Sequence, residues 1–121
     1  MAEVLAVVDD LFFSAKILET ARRLGVPLSL IRSPEELITQ ARAYTPRLVI
    51  FDLNAEACQP MEGIRRLRAD PAFHSLATLG FFSHVQQDLK TTAAEAGCGR
   101  LLARSAFAAQ LPEILRPYAA P

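Results

Sequence analysis

The sequence predicts an α/β domain, a parallel sheet covered by helices on both faces. Short apolar runs alternate along the chain with longer segments of helical periodicity. Three of the runs, Val4–Val8, Leu48–Phe51 and Leu76–Phe82, are rich in aliphatic and aromatic residues, as strands buried on both faces must be. The length of 121 residues with 51% apolar content suits one domain with its own core, needing no disulfide or structural metal.

Each element has its own signal. Val4–Val8 reads as the first strand. Phe13, Ile17, Ala21 and Leu24 then recur at helical spacing, with Arg22 and Arg23 in the last turn and Gly25 as the stop. Pro27–Ile31 is a second, weaker strand. Ser33, Pro34 and Glu36 form a helix start with an N-cap, a proline at the first position and a capping-box glutamate, and that helix runs to about Tyr44. Leu48–Phe51 is the third strand, ending at Asp52. Met61–Ala69 reads as a helix stopped before Pro71. Leu76–Phe82 is the fourth strand. Ser83 and Gln86 form a second capping box, opening a helix through Ala96 that Gly97 terminates. Arg100–Ala103 is a short fifth strand. Ser105 is the expected cap of the last helix, carried by Leu111, Ile114 and Leu115, with Pro112 expected in its first turn. Five strands alternating with five helices make a doubly wound (βα)5 unit over residues 1–121, a single domain with no output domain expected.

Composition excludes several classes. Mean hydropathy of +0.20 is not that of a disordered chain. Thirteen basic residues balance thirteen acidic ones, so phosphate-driven nucleic-acid binding is not expected. Arg65, Arg66 and Arg68 are flanked by Glu62 and Asp70 and read as a solvated helix face. No apolar run approaches the length of a membrane span. Glu3, Asp9 and Asp10 break any signal-peptide pattern. Cys58 and Cys98 are not closely spaced and read as free thiols, so a cytoplasmic location is expected. Phe13 fits the core by periodicity, which leaves Phe12 exposed beside the first strand's end, where an aromatic can serve a partner.

Doubly wound sheets bind ligands outside the carboxyl ends of their strands. Those ends carry Asp9 and Asp10, then Asp52, Ser83 and Arg104. In the flavodoxin-like order 2-1-3-4-5 these residues converge. Gathered carboxylates need raised pKa values or a bound cation, and oxygen ligands suit Mg²⁺. A hydroxyl and a guanidinium opposite them suit phosphoryl oxygens. Ser83 is equally well explained as a cap, and Asp10 as the cap of the first helix.

The residues Val7-Val8-Asp9-Asp10, Val49-Ile50-Phe51-Asp52, Phe81-Phe82-Ser83, Ala96-Gly97, and Arg104 with Phe107 carry a resemblance. The chain resembles the receiver domain of bacterial two-component response regulators, CheY-like, from Val4 to about Arg116. The resemblance implies that Asp9, Asp10 and Asp52 hold Mg²⁺ and that Asp52 is the phosphoacceptor for a histidine kinase. It further implies that Ser83 and the residue at 104 contact the phosphoryl group. Arg104 follows Gly97 by seven residues, the family's spacing for its lysine. Arginine thus replaces lysine, Ser105 replaces the usual proline, and Leu101 stands at the switch position often held by an aromatic. The loop after Asp52 reaches Gly63 only after eleven residues, later than is usual.

These departures all touch the phosphorylation machinery. The expectation is a stand-alone, atypical receiver that signals by protein contact, with its phosphorylation switch weakened or lost and Mg²⁺ bound weakly. The alternative is a working phosphoacceptor on Asp52. The expected partner is a signalling protein, a kinase or a downstream target, on the face made by the fourth helix, fifth strand and fifth helix. An enzyme is not expected. Asp52-Leu53-Asn54 lacks the second aspartate of the haloacid dehalogenase pattern, and no Gly-rich phosphate loop is present.

Overall fold

A computed structural model describes residues 2–83 and 87–120. Five parallel strands, β1 (Val4–Val7), β2 (Leu28–Ile31), β3 (Leu48–Asp52), β4 (Ala77–Phe82) and β5 (Arg100–Ala103), lie in the order β2-β1-β3-β4-β5. Between and after them run α1 (Leu11–Leu24), α2 (Pro34–Tyr44), α3 (Pro60–Ala69), α4 (Gln87–Ala96) and α5 (Arg104–Leu115). Fold class and strand order are those expected. No helix among the described residues is long and apolar enough to cross a membrane.

Side chains alternate across each strand, so the sheet feeds two cores. Leu5, Val7, Val49, Phe51 and Phe82 pack with Leu37 and Ala41 of α2, Ile64 and Leu67 of α3, and Ala93 of α4. Val4, Ala6, Ile50, Leu79 and Phe81 pack with Phe13, Ile17 and Ala21 of α1 and Phe107, Leu111 and Leu115 of α5. Cys58 and Cys98 are free and buried.

Local signals explain most boundaries. Asp10 caps α1 by accepting from the Phe13 amide at 2.9 Å, and Gly25 ends it in the left-handed region at φ 72°. Ser33 accepts from the Glu36 amide at 3.0 Å, while Glu36 accepts in return from the Arg32 amide at 2.7 Å, the two halves of a box shifted by one residue. The capping box expected from Ser83 and Gln86 falls partly on residues 84–86, outside the described residues.

Three readings are corrected. The cap of α5 is Ala103, which makes no side-chain hydrogen bond, and Ser105 lies inside the helix. The helix starts two residues earlier than Ser105 requires, because Arg104 is drawn onto the sheet's acidic end. Pro112 therefore lies in the helix interior instead of its first turn. There it withholds the amide that would bond the carbonyl of Ala108, four residues back. Finally, Arg68 is no solvated residue. It is partly buried and donates to the carbonyls of Gly97 (2.7 Å), His74 (2.9 Å) and Leu76 (3.0 Å) and to the Thr78 hydroxyl (2.7 Å). Arg66 pairs with Glu62 and Glu35, as a surface residue should.

Candidate functional site

The strand order reverses between β1 and β3, and the crevice beyond their carboxyl ends is where such sheets bind ligands. Register puts Val7 beside Phe51 and Asp52 beside Phe81, so Asp52 emerges at this reversal next to the Val8-Asp9-Asp10 segment. Its side chain is only 2% exposed. One oxygen, Oδ1, accepts from the Asn54 amide at 3.0 Å. The Asn54 side chain in turn accepts from the Ser83 amide at 2.9 Å, tying the loop after β3 to the end of β4. Sequence reasoning missed Asn54. Its role leaves no local signal: the Asx turn here is made by Asp52, which accepts from the amide two residues on, while the Asn54 side chain bonds a segment 29 residues away.

Arg104, the first residue of α5, reaches into this crevice. Its Nη2 lies 3.4 Å from Asp52 Oδ2 and 3.5 Å from Oδ1, and its Nη1 lies 3.9 Å from Asp10 Oδ2. These distances are longer than a tight charge-assisted hydrogen bond, so the guanidinium acts chiefly as a charge shared by two carboxylates. The guanidinium carbon sits 5.1 Å from the Phe13 ring centroid and 5.8 Å from that of Phe81. Those rings belong to a stacked column: Phe13–Phe81 at 5.0 Å and Phe81–Phe107 at 4.2 Å. The column fixes the cation from below by cation–π attraction while the acids hold it from the side. This aromatic platform was not expected. Phe13 and Phe81 were read as core residues, which they also are.

Burial pushes the Asp52 carboxyl above its ordinary pKa; the Asn54 amide and Arg104 oppose that shift, while the Asp9 and Asp10 charges add to it. Asp10 combines two roles, since Oδ1 caps α1 while Oδ2 faces Arg104. Asp9 and Ser83 are partly buried at the same end of the sheet. Leu101 is partly buried and packs into the core on the α2–α4 side, beside Gly80 in register.

Solved structures that match this chain include response regulators and a receiver domain. The receiver domain of the sensor histidine kinase PA1611 from Pseudomonas aeruginosa has a TM-score of 0.81 at 20% identity, covering 97% of this chain and 96% of its own. That structure holds a magnesium ion in its active-site cleft. The chemotaxis response regulator CheY4 of Vibrio cholerae has a TM-score of 0.79 at 19% identity, covering 98% of both chains. A response regulator from Chloroflexus aurantiacus has a TM-score of 0.77 at 24% identity, also covering 98% of both. The fold is that of a receiver domain. No protein-family model and no curated protein matches the chain.

The receiver fold raises the question of a metal. Asp9, Asp10 and Asp52 follow β1 and β3 at one end of the sheet, yet among the described residues no three His, Cys, Asp or Glu side chains are grouped to hold an ion together. Two of the three carboxylates face Arg104, which stands where a cation they shared would sit. As arranged, Asp10 and Asp52 share a guanidinium as their counter-ion.

Proposed function

We propose that this chain is a signalling module of receiver fold that acts by protein contact, with its phosphorylation switch weakened or lost. The observation that carries this reading is Arg104 between Asp52 and Asp10. The guanidinium is a resident cation, always charged and covalently part of the chain. A divalent ion brought to the same carboxylates meets that positive charge at close range, in a crevice partly open to water on the Asp10 side and closed at Asp52. The acceptor carboxylate must also ionise in order to react, and burial works against that. Output then depends on contact with another protein, for which the α4-β5-α5 face is the family's surface.

Arg104 is also long enough to contact a phosphoryl group, and Asp52 and Ser83 keep their strand-end positions. That arrangement favours the second reading, a phosphoacceptor on Asp52. One experiment separates the two. The protein is incubated with acetyl phosphate and Mg²⁺ and followed by intact mass, with Asp52→Asn alongside. No stable phosphoryl increment is expected on the unsubstituted chain. A Mg²⁺-dependent increment of one phosphoryl group, absent from Asp52→Asn, would replace this reading with the second.

A further inference from the structure

A second cleft borders the first residues of β3, β4 and β5, at the opposite end of the sheet from Asp52 and Arg104. Its volume is about 490 Å³, within the range that takes small organic ligands. Leu79 and Ile114, both buried, form part of its apolar wall. Its charged lining is Arg68, Arg100 and Glu113. Arg68 is partly buried and donates to neutral acceptors alone, the carbonyls of Gly97, Phe73, His74 and Leu76 and the Thr78 hydroxyl. Its Nη2 carries two hydrogens and, among the described residues, has one acceptor, the buried Thr78 hydroxyl at 2.7 Å. Arg100 donates to the neutral Gln110 side chain at 3.1 Å. Glu113, the acid of the lining, is paired with Arg116.

We propose that this cleft binds a small organic anion, a carboxylate carried on an apolar body. A partly buried guanidinium whose partners are all neutral keeps its full charge in surroundings that solvate it less well than water. An anion in the cleft supplies the counter-charge that the chain itself does not. The carboxylate of the lining is spent on Arg116, so the two guanidiniums leave the cleft positive. The remaining Nη2 hydrogen of Arg68 is a charge-assisted donor, and the exposed Arg100 adds a second positive charge. The apolar wall suits an aromatic or branched body and gives nothing to a bare inorganic ion. This inference is independent of whether Asp52 is phosphorylated.

Benzoate is the probe, and benzamide, close to it in shape but uncharged, is the control. In amide NMR titrations benzoate is expected to shift Thr78, Leu79 and Gly99 saturably, with a Kd on the order of 10⁻³ M. Benzamide is expected to bind at least ~10-fold more weakly. Ser75 also lines the cleft and is exposed, so it can be replaced without disturbing the core. Ser75→Glu offers the guanidiniums a carboxylate of the chain's own and is expected to weaken benzoate at least ~10-fold, whereas Ser75→Gln leaves it within ~2-fold. Arg100→Gln, a change at a second exposed position, is expected to weaken benzoate at least ~3-fold. Circular dichroism confirms that each variant is folded. Shifts centred on Asp52 and Arg104, equal binding of benzamide, indifference to Ser75→Glu, or no saturable shift at all would each overturn the proposal.

Discussion

Asp52 carries its charge where water cannot reach it, and folding makes that carboxyl harder to ionise. Burial raises its pKa despite the Asn54 amide and the Arg104 charge. The native state therefore holds this proton more tightly than the unfolded chain does. In the window between the ordinary carboxylate pKa and the raised one, the native state binds more protons. Stability accordingly falls as pH rises through that window and stays reduced above it. Asparagine keeps an oxygen for the Asn54 amide and removes the charge. Asp52→Asn is expected to raise the melting temperature at neutral pH by roughly 3–6 °C, the equivalent of about 1 kcal/mol. The gain should shrink on acidification, as the unsubstituted chain takes up its own proton. A lower melting point at neutral pH, measured by calorimetry, would show that the pair with Arg104 outweighs burial. A companion measurement is the carboxyl carbon titration of Asp52 by NMR. Arg104→Ala removes a charge that lowers the Asp52 pKa, so the midpoint should move upward.

At the scale of elements, Arg68 is the least expected structural residue. One guanidinium from the end of α3 joins the α4–β5 turn at Gly97, the segment before β4 at His74 and Leu76, and β4 itself at Thr78. Every acceptor is neutral. Arg68→Ala strands several partly buried carbonyls and is expected to cost about 2–3 kcal/mol in urea unfolding, with Arg68→Lys recovering only part of the loss. Gly97 is bound to this arrangement. Its φ of 107° suits glycine, and a Cβ there would meet Arg68 Cγ at 2.6 Å. Gly97→Ala should therefore destabilise by more than about 1 kcal/mol, and in a double-mutant cycle with Arg68→Ala the combined loss should fall short of the sum. Additive losses would mean that the close approach relaxes without cost. The buried runs of β1 and β3, the Ser33-Pro34 start and the Gly25 stop were legible in the sequence because each rests on neighbours along the chain. Arg68 was not, because an arginine that bonds carbonyls leaves the same mark in a sequence as one in water. The Phe13–Phe81 platform under Arg104 was hidden for a related reason. Apolar periodicity assigns a ring to the core but not to the cation lying on it. The strand-end acids were placed by topology alone, whereas Arg104's hold on Asp52 and Asp10 needed coordinates. Ser105 and Pro112 were misplaced because a polar side chain looked like a cap, while the helix start was set by the residue before it.

Over the whole molecule, thirteen basic and thirteen acidic residues cancel, and the isoelectric point of about 6.7 lies close to neutrality. Net repulsion between copies vanishes there. Light scattering at fixed concentration is expected to peak near that pH and to fall on either side, and Phe12→Ser, which removes an exposed ring, should lower the peak without moving it. A peak that moved with Phe12→Ser would detach its position from the charge balance. The two-sided core shields the sheet from such changes, since α1 contributes one face to the interior and leaves the other outside. A different consequence follows from Arg104. A pocket that fills from solution answers to supply, and its occupancy can rise and fall within the life of one molecule. A pocket whose counter-ion is the first residue of α5 is filled once, when the chain folds. On the reading proposed above, such a protein has no faster variable than its own abundance: its message is carried by synthesis and degradation, and its meaning is a dose.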